Sequence, residues 1–207
     1  VLISPLLVSA LCLSLLPAPL LAGPVPRGDA VAGRDKADTE RCLECHGTAG
    51  EGQGYSNGSD GKFARLDGQH PEYIVKQIED FRSGRRKHEF MKMMASSISN
   101  ADLADIAAYF AAAPVREGMP AKAPELFVHG DAARGIAACA GCHGGNGRGI
   151  AGAGPVLAGQ GRRYLEQQLE EWRSGARSNS AGGVMNLQAR PLTDADIAAL
   201  ALYLSQL

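Results

Sequence analysis

Two short runs carry residue types that can do redox chemistry: Cys42-Leu43-Glu44-Cys45-His46-Gly47 and Cys139-Ala140-Gly141-Cys142-His143-Gly144. Each contains Cys-x-x-Cys-His, the attachment signature of c-type haem. The spacing suits that chemistry. Two thiols three residues apart can each form a thioether to one vinyl group of the same haem, and the adjacent histidine then lies beneath the iron as its proximal ligand. Cys42, Cys45, Cys139 and Cys142 are therefore the expected attachment residues, with His46 and His143 the expected proximal ligands. A Cys-x-x-Cys pair is also half of a zinc site, or a redox dithiol. Neither needs a histidine after the second cysteine, and both runs have one, with glycine following. The expected cofactor is two covalently bound haem c groups.

The sixth ligand decides what each iron does. A second strong protein ligand makes an electron carrier, whereas an open position allows small-molecule chemistry. Met185 is the sole methionine after the second haem run, while the first half offers Met91, Met93 and Met94. An internal repeat separates these three. The segments beginning at Ile98 and Leu192 align without gaps at an offset of 94. Carried back seven residues, that register sets Met91 on Met185, Met93 on Leu187 and Met94 on Gln188. The expected metal ligands are thus His46, Met91, His143 and Met185. His88 is near enough to compete at the first iron but has no counterpart in the second half. His70 and His129 read as surface residues. Pro155 stands where c-type domains present a proline carbonyl to the proximal ring. Ala64 matches it in the first half, and its backbone carbonyl can serve, less rigidly. No catalytic residues are expected.

These residues must be held by helices. No period-two strand pattern appears, whereas Ile74, Ile78 and Phe81 recur at helical spacing behind Pro71, a residue suited to a first helical turn. Leu165, Leu169 and Trp172 repeat this stripe at an offset of 91, and Gly159-Gln160 repeats Gly68-Gln69. Ser99 with Asp102, and Thr193 with Asp196, have capping-box spacing ahead of the stripes Leu103/Ile106/Ala107/Phe110 and Ile197/Leu200/Ala201/Leu204. The segments bearing the methionines read as loops. The basic runs Arg82–Lys87 and Arg173–Arg177 read as helix C-terminal caps, with propionates or a partner as the other reading. The fold class expected is all-α, two tandem cytochrome c-like helical domains from an internal duplication.

The division expected is a signal peptide over 1–22, a first domain over 23–113, a Pro- and Gly-containing linker over 114–124 and a second domain over 125–207. Residues 1–22 are uncharged, leucine-rich and followed by small residues, as in a secretory signal; an uncleaved anchor is the alternative. Residues 23–33 read as a loose leader. The 207-residue chain has a formal net charge of −1, so bulk charge points to neither nucleic acid nor a membrane surface. Export and covalent haem attachment together imply the bacterial periplasm.

With these motifs in view, the chain resembles the dihaem cytochromes of the c4 family. The resemblance rests on the two Cys-x-x-Cys-His-Gly runs, on Leu-x-Gly-Gln before a helix in each half, and on a methionine seven residues ahead of Ile98-Ser99 or Leu192-Thr193. The closing phrases Asp102–Phe110 and Asp196–Leu204 are also similar to that family. Membership implies two class I cytochrome c domains related by a pseudo-twofold, His/Met ligation of both irons, and a periplasmic electron carrier delivering to a terminal oxidase. Other partners implied are periplasmic or membrane dehydrogenases. The competing reading is a cytochrome subunit of a flavocytochrome sulfide dehydrogenase-type complex, and a dihaem peroxidase is a third.

Overall fold

The computed structural model describes residues 27–52, 61–115, 118 and 122–207. The expected signal segment and part of the linker lie outside them. The first half contains α1 (Ala30–Thr39), α2 (Leu43–His46), α3 (Pro71–Arg82), α4 (Glu89–Ser97) and α5 (Asn100–Ala112). The second contains α6 (Glu125–His129), α7 (Ala140–His143), α8 (Arg162–Ser174), α9 (Val184–Ala189) and α10 (Asp194–Ser205). The described residues hold no strand, only isolated bridges at Asp131–Ile136 and Ile150–Gly154. The fold is all-α and duplicated.

The helices start and stop for local reasons. Pro71 occupies the opening of α3, where a missing N–H costs no hydrogen bond. The Ser99 hydroxyl accepts the Asp102 N–H at the start of α5, and a complete capping box opens α10, with Asp196 also accepting from the Thr193 N–H at 2.9 Å. The predicted stripes are inward. Ile74 and Phe81 of α3 are buried, and Ile74 joins Leu103, Ile106, Ala107 and Phe110 of α5 in one core. Leu165 and Trp172 of α8 meet Ile197, Leu200, Ala201 and Leu204 of α10 in the other.

Two expectations need correction. The supposed leader 23–33 ends in α1, capped by Asp29, whose carboxylate accepts the Val31 N–H at 2.8 Å. Gly33 is buried where α1 crosses α5; a Cβ there would sit 2.0 Å from the Asp105 carbonyl oxygen. Glycine at this site therefore marks a helix crossing, and Lys36 ties the pair further through Asp102 at 2.8 Å and through Asp105. The methionine segments are also not loops. Met91 lies in the first turn of α4 and Met185 in the first turn of α9. Lone side-chain caps supply their amide partners: His88 Nδ1 accepts the Met91 N–H at 3.2 Å, and Ser180 Oγ the Met185 N–H at 3.1 Å.

Candidate haem sites

Each cysteine–histidine run is one helical turn. Cys42 and Cys139 have right-handed helical dihedrals, and their carbonyls accept the N–H of His46 and His143, each at 3.0 Å. The first cysteine and the histidine of each run therefore stand one above the other on a single turn. Gly47 (φ 85°) and Gly144 (φ 76°) then end the turns in a conformation that L side chains avoid, which explains the glycine following each motif. The turns lean on α1 and α6, while α4 and α9, which carry the methionines, pack on α3 and α8.

The two imidazoles are oriented alike. His46 Nδ1 lies 2.8 Å from the Ala64 carbonyl oxygen, and His143 Nδ1 lies 3.0 Å from that of Pro155. The alanine performs the proline's task because the contact is made by the backbone. Burial pushes both rings below the ordinary histidine range, against the carbonyls, which pull them up; Arg86 lowers His46 further. A neutral ring donating from Nδ1 leaves its Nε2 lone pair for a metal, and among the described residues neither Nε2 has a hydrogen-bond partner. The residues fit a haem c. They fit the competing chemistries poorly. Burial pushes the Cys42 thiol up to about 11 and raises Cys139 as well, the opposite of an activated dithiol. Among the described residues, no three His, Cys, Asp or Glu side chains converge to hold a zinc ion.

Of the first-half methionines, Met93 is 61% exposed, whereas Met91 and Met94 are half-buried. Met185 is half-buried against the second core. His88 caps α4 and stands edge-on to Phe81; His129 is exposed. His70 departs from the surface expectation. It is half-buried at the start of α3, and its Nε2 is buried without a partner among the described residues, close to Gly149 of the second half.

The structure also shows a polar joint between the halves. Gln160 accepts the Arg65 N–H at 2.9 Å and donates to the Arg65 carbonyl at 2.7 Å. Gln69 does the same to Val156, both at 3.0 Å. Arg65 and Val156 follow Ala64 and Pro155, so each half grips the strand of chain that orients the other half's histidine. Beside these clamps, Arg86 donates to Gln77 at 2.9 Å, Gln168 at 2.7 Å and the Tyr164 hydroxyl at 3.1 Å. Arg177 mirrors it, donating to Gln168 at 2.6 Å, Gln77 at 2.9 Å and the Tyr73 hydroxyl at 3.1 Å. The basic runs thus do more than cap their own helices. Arg82 does bind helix-terminal carbonyls, those of Ala95 and Ile98, but at the far end of α4. Sequence reasoning missed the joint, although Tyr73/Tyr164, Gln77/Gln168 and Arg86/Arg177 all repeat at the offset of 91. Repeated polar residues between apolar stripe positions were the signal.

The cytochrome c family matches residues 30–113 and again 129–207. Cytochrome c4 of Pseudomonas aeruginosa is 40% identical over 187 residues, 87% of this chain and 89% of that one. The crystal structure of reduced recombinant cytochrome c4 from Pseudomonas stutzeri superposes with a TM-score of 0.76 at 34% identity, covering 87% of this chain and 99% of that one. The chain belongs to the dihaem cytochrome c4 family. It carries two covalently bound haem c groups and is an electron carrier, not an enzyme. A thiosulfate dehydrogenase electron acceptor of Stutzerimonas stutzeri is also similar, 34% identical over 78% of this chain and 76% of that one. No helix among the described residues is long and apolar enough to cross a membrane.

Proposed function

We propose that the chain is a periplasmic one-electron carrier that delivers to a terminal oxidase, with Cys42, Cys45 and His46 holding one haem and Cys139, Cys142 and His143 the other. Met91 and Met185 are the assigned sixth ligands. When bound, haem c supplies a reversible one-electron iron couple, and methionine ligation raises its potential relative to bis-histidine. The residues of this chain do the rest. The cysteines tether, and the Ala64 and Pro155 carbonyls fix each proximal ring and keep its proton on Nδ1. The reciprocal glutamine clamps hold the two proximal segments in one fixed relation. The observation that carries the reading is the pair of imidazoles, His46 half-buried and His143 buried, each bonded through Nδ1 to a backbone carbonyl and with no partner at Nε2 among the described residues. The domain division proposed is 23–113 and 125–207 about the linker 114–124, behind an export signal over 1–22.

A second reading places the chain as acceptor for a dehydrogenase of reduced sulfur, supported by its similarity to the thiosulfate dehydrogenase electron acceptor. Stopped-flow mixing separates the two. An oxidase donor in the reduced form is reoxidised by oxidase-containing membranes and is not reduced by thiosulfate with its dehydrogenase at a comparable rate. The reverse result moves the assignment to the second reading.

A further inference from the structure

We propose that the first half carries a docking face for an acidic redox protein that the second half lacks. The inference rests on the electron-carrier reading and adds the chemistry of one partner.

Each half exposes two apolar side chains beside its assigned methionine ligand. In the first half these are Phe90 and Met93, 52% and 61% exposed; in the second they are Val184 and Leu187, 43% and 61% exposed. The pairs match at the offset of 94, so the duplication keeps an apolar contact point on both helices. Exposed apolar residues grouped at one place mark interaction sites.

The charge around the two points differs. Arg82 and Arg173 are repeat partners with the same task, since both bind the carbonyl before the last helix, Ile98 or Leu192. Arg86 and Arg177 are partners inside the joint. With these matched pairs set aside, the first half keeps Arg85, Lys87 and Lys92 against one carboxylate, Glu89. All four are exposed. Their counterparts in the second half are Ala176, Ser178, Asn186 and Gly183, none of them charged, and the one unmatched cation there is the exposed Arg190 just past the end of α9, where the first half has Ser96. Arg85 is held by Asp80 at 2.7 Å with 62% of its side chain exposed, while the Lys87 and Lys92 ammonium groups have no ion-pair partner among the described residues. Unneutralised cations around an apolar centre steer oppositely charged partners, and the apolar centre gives the desolvated contact. The fitting occupant is a redox protein whose own contact point is ringed by carboxylates.

The test uses the reduced holoprotein and its Lys87→Glu/Lys92→Glu variant. The redox-inert paramagnetic anion hexacyanochromate(III) should broaden the NMR signals of Phe90 and Met93 and spare those of Val184 and Leu187, and the variant should abolish the effect. Electron exchange is then measured with a small cytochrome whose lysines have been succinylated to carboxylates. At about 10 mM ionic strength the variant should be about ten-fold slower than the wild type, and the difference should vanish at about 0.5 M salt. Equal broadening of both pairs overturns the proposal, as does an unchanged rate in the variant. Lysine-dependent binding to anionic vesicles in place of the acidic cytochrome also overturns it. A wild-type holoprotein that exchanges no electrons with the probe at either salt concentration instead overturns the carrier reading itself.

Discussion

Met91 and Met94 lie three residues apart on one face of α4, and both are half-buried, so burial removes only Met93 as a rival. Register with Met185 is the ground on which Met91 is proposed, and both proposed ligands occupy the first turn of a short helix with a side chain capping their N–H. Replacing Met91 by leucine should remove half the weak sulfur-to-iron band at the red end of the oxidised spectrum, whereas Met94→Leu should leave it intact. The opposite pattern would show that the repeat slips within α4. Asp196 is a different kind of residue-scale feature. The Arg134 guanidinium at 2.6 Å, followed by the Thr193 cap, holds its carboxyl down at about 2. Because the folded value lies below the unfolded one, this stabilisation is complete above about pH 4 and is lost as the pH falls toward 2. With screening at the partly exposed pair it amounts to about 1 kcal/mol. Asp196→Asn should lower the melting temperature at pH 7 and leave it nearly unchanged at pH 2; a deficit of equal size at both values would trace the effect to packing.

Among the elements, α1 shows what a sequence conceals. Gly33 and the glycines and prolines before the helix read as a leader, yet Gly33 is a contact that lets α1 reach the α5 backbone. Composition cannot distinguish a glycine that frees the chain from one that admits a neighbour, because the difference lies in the neighbour. Gly33→Val should overpack this crossing and cost about 1–3 kcal/mol, read as a lower melting temperature of the holoprotein with haem stoichiometry unchanged. A neutral substitution would mean that α1 is only loosely docked. The long helices α3, α5, α8 and α10 were legible because each carries an apolar stripe, opened by Pro71 in α3 and by the Ser99 and Thr193 caps in α5 and α10. The short helices α4 and α9 were not, since fewer than three turns give little periodicity and Gly182-Gly183 precede the second of them.

The whole molecule is two haem-binding units locked by a joint that obeys the same pseudo-twofold as the duplication. Each of Gln77 and Gln168 accepts from both arginines, so cutting one arginine strands acceptors in both halves. Arg177→Met should weaken the coupling by about 2–3 kcal/mol and split one thermal transition into two, seen by calorimetry; a single transition at the wild-type temperature would place the coupling elsewhere. The haem motifs and the duplication could be read directly from the sequence. The joint left only a repeat of polar residues at the offset of 91, and a repeat does not say that its members face one another until both halves are seen together. On the proposed ligand assignment, one chain carries two tethered, methionine-ligated haems and acts as a reversible electron store. A potentiometric titration of the holoprotein, followed through its visible spectrum, tests this most directly. It should show two one-electron steps per chain with the sulfur-to-iron band lost in parallel on reduction. One electron per chain, or two steps without that band, would contradict it.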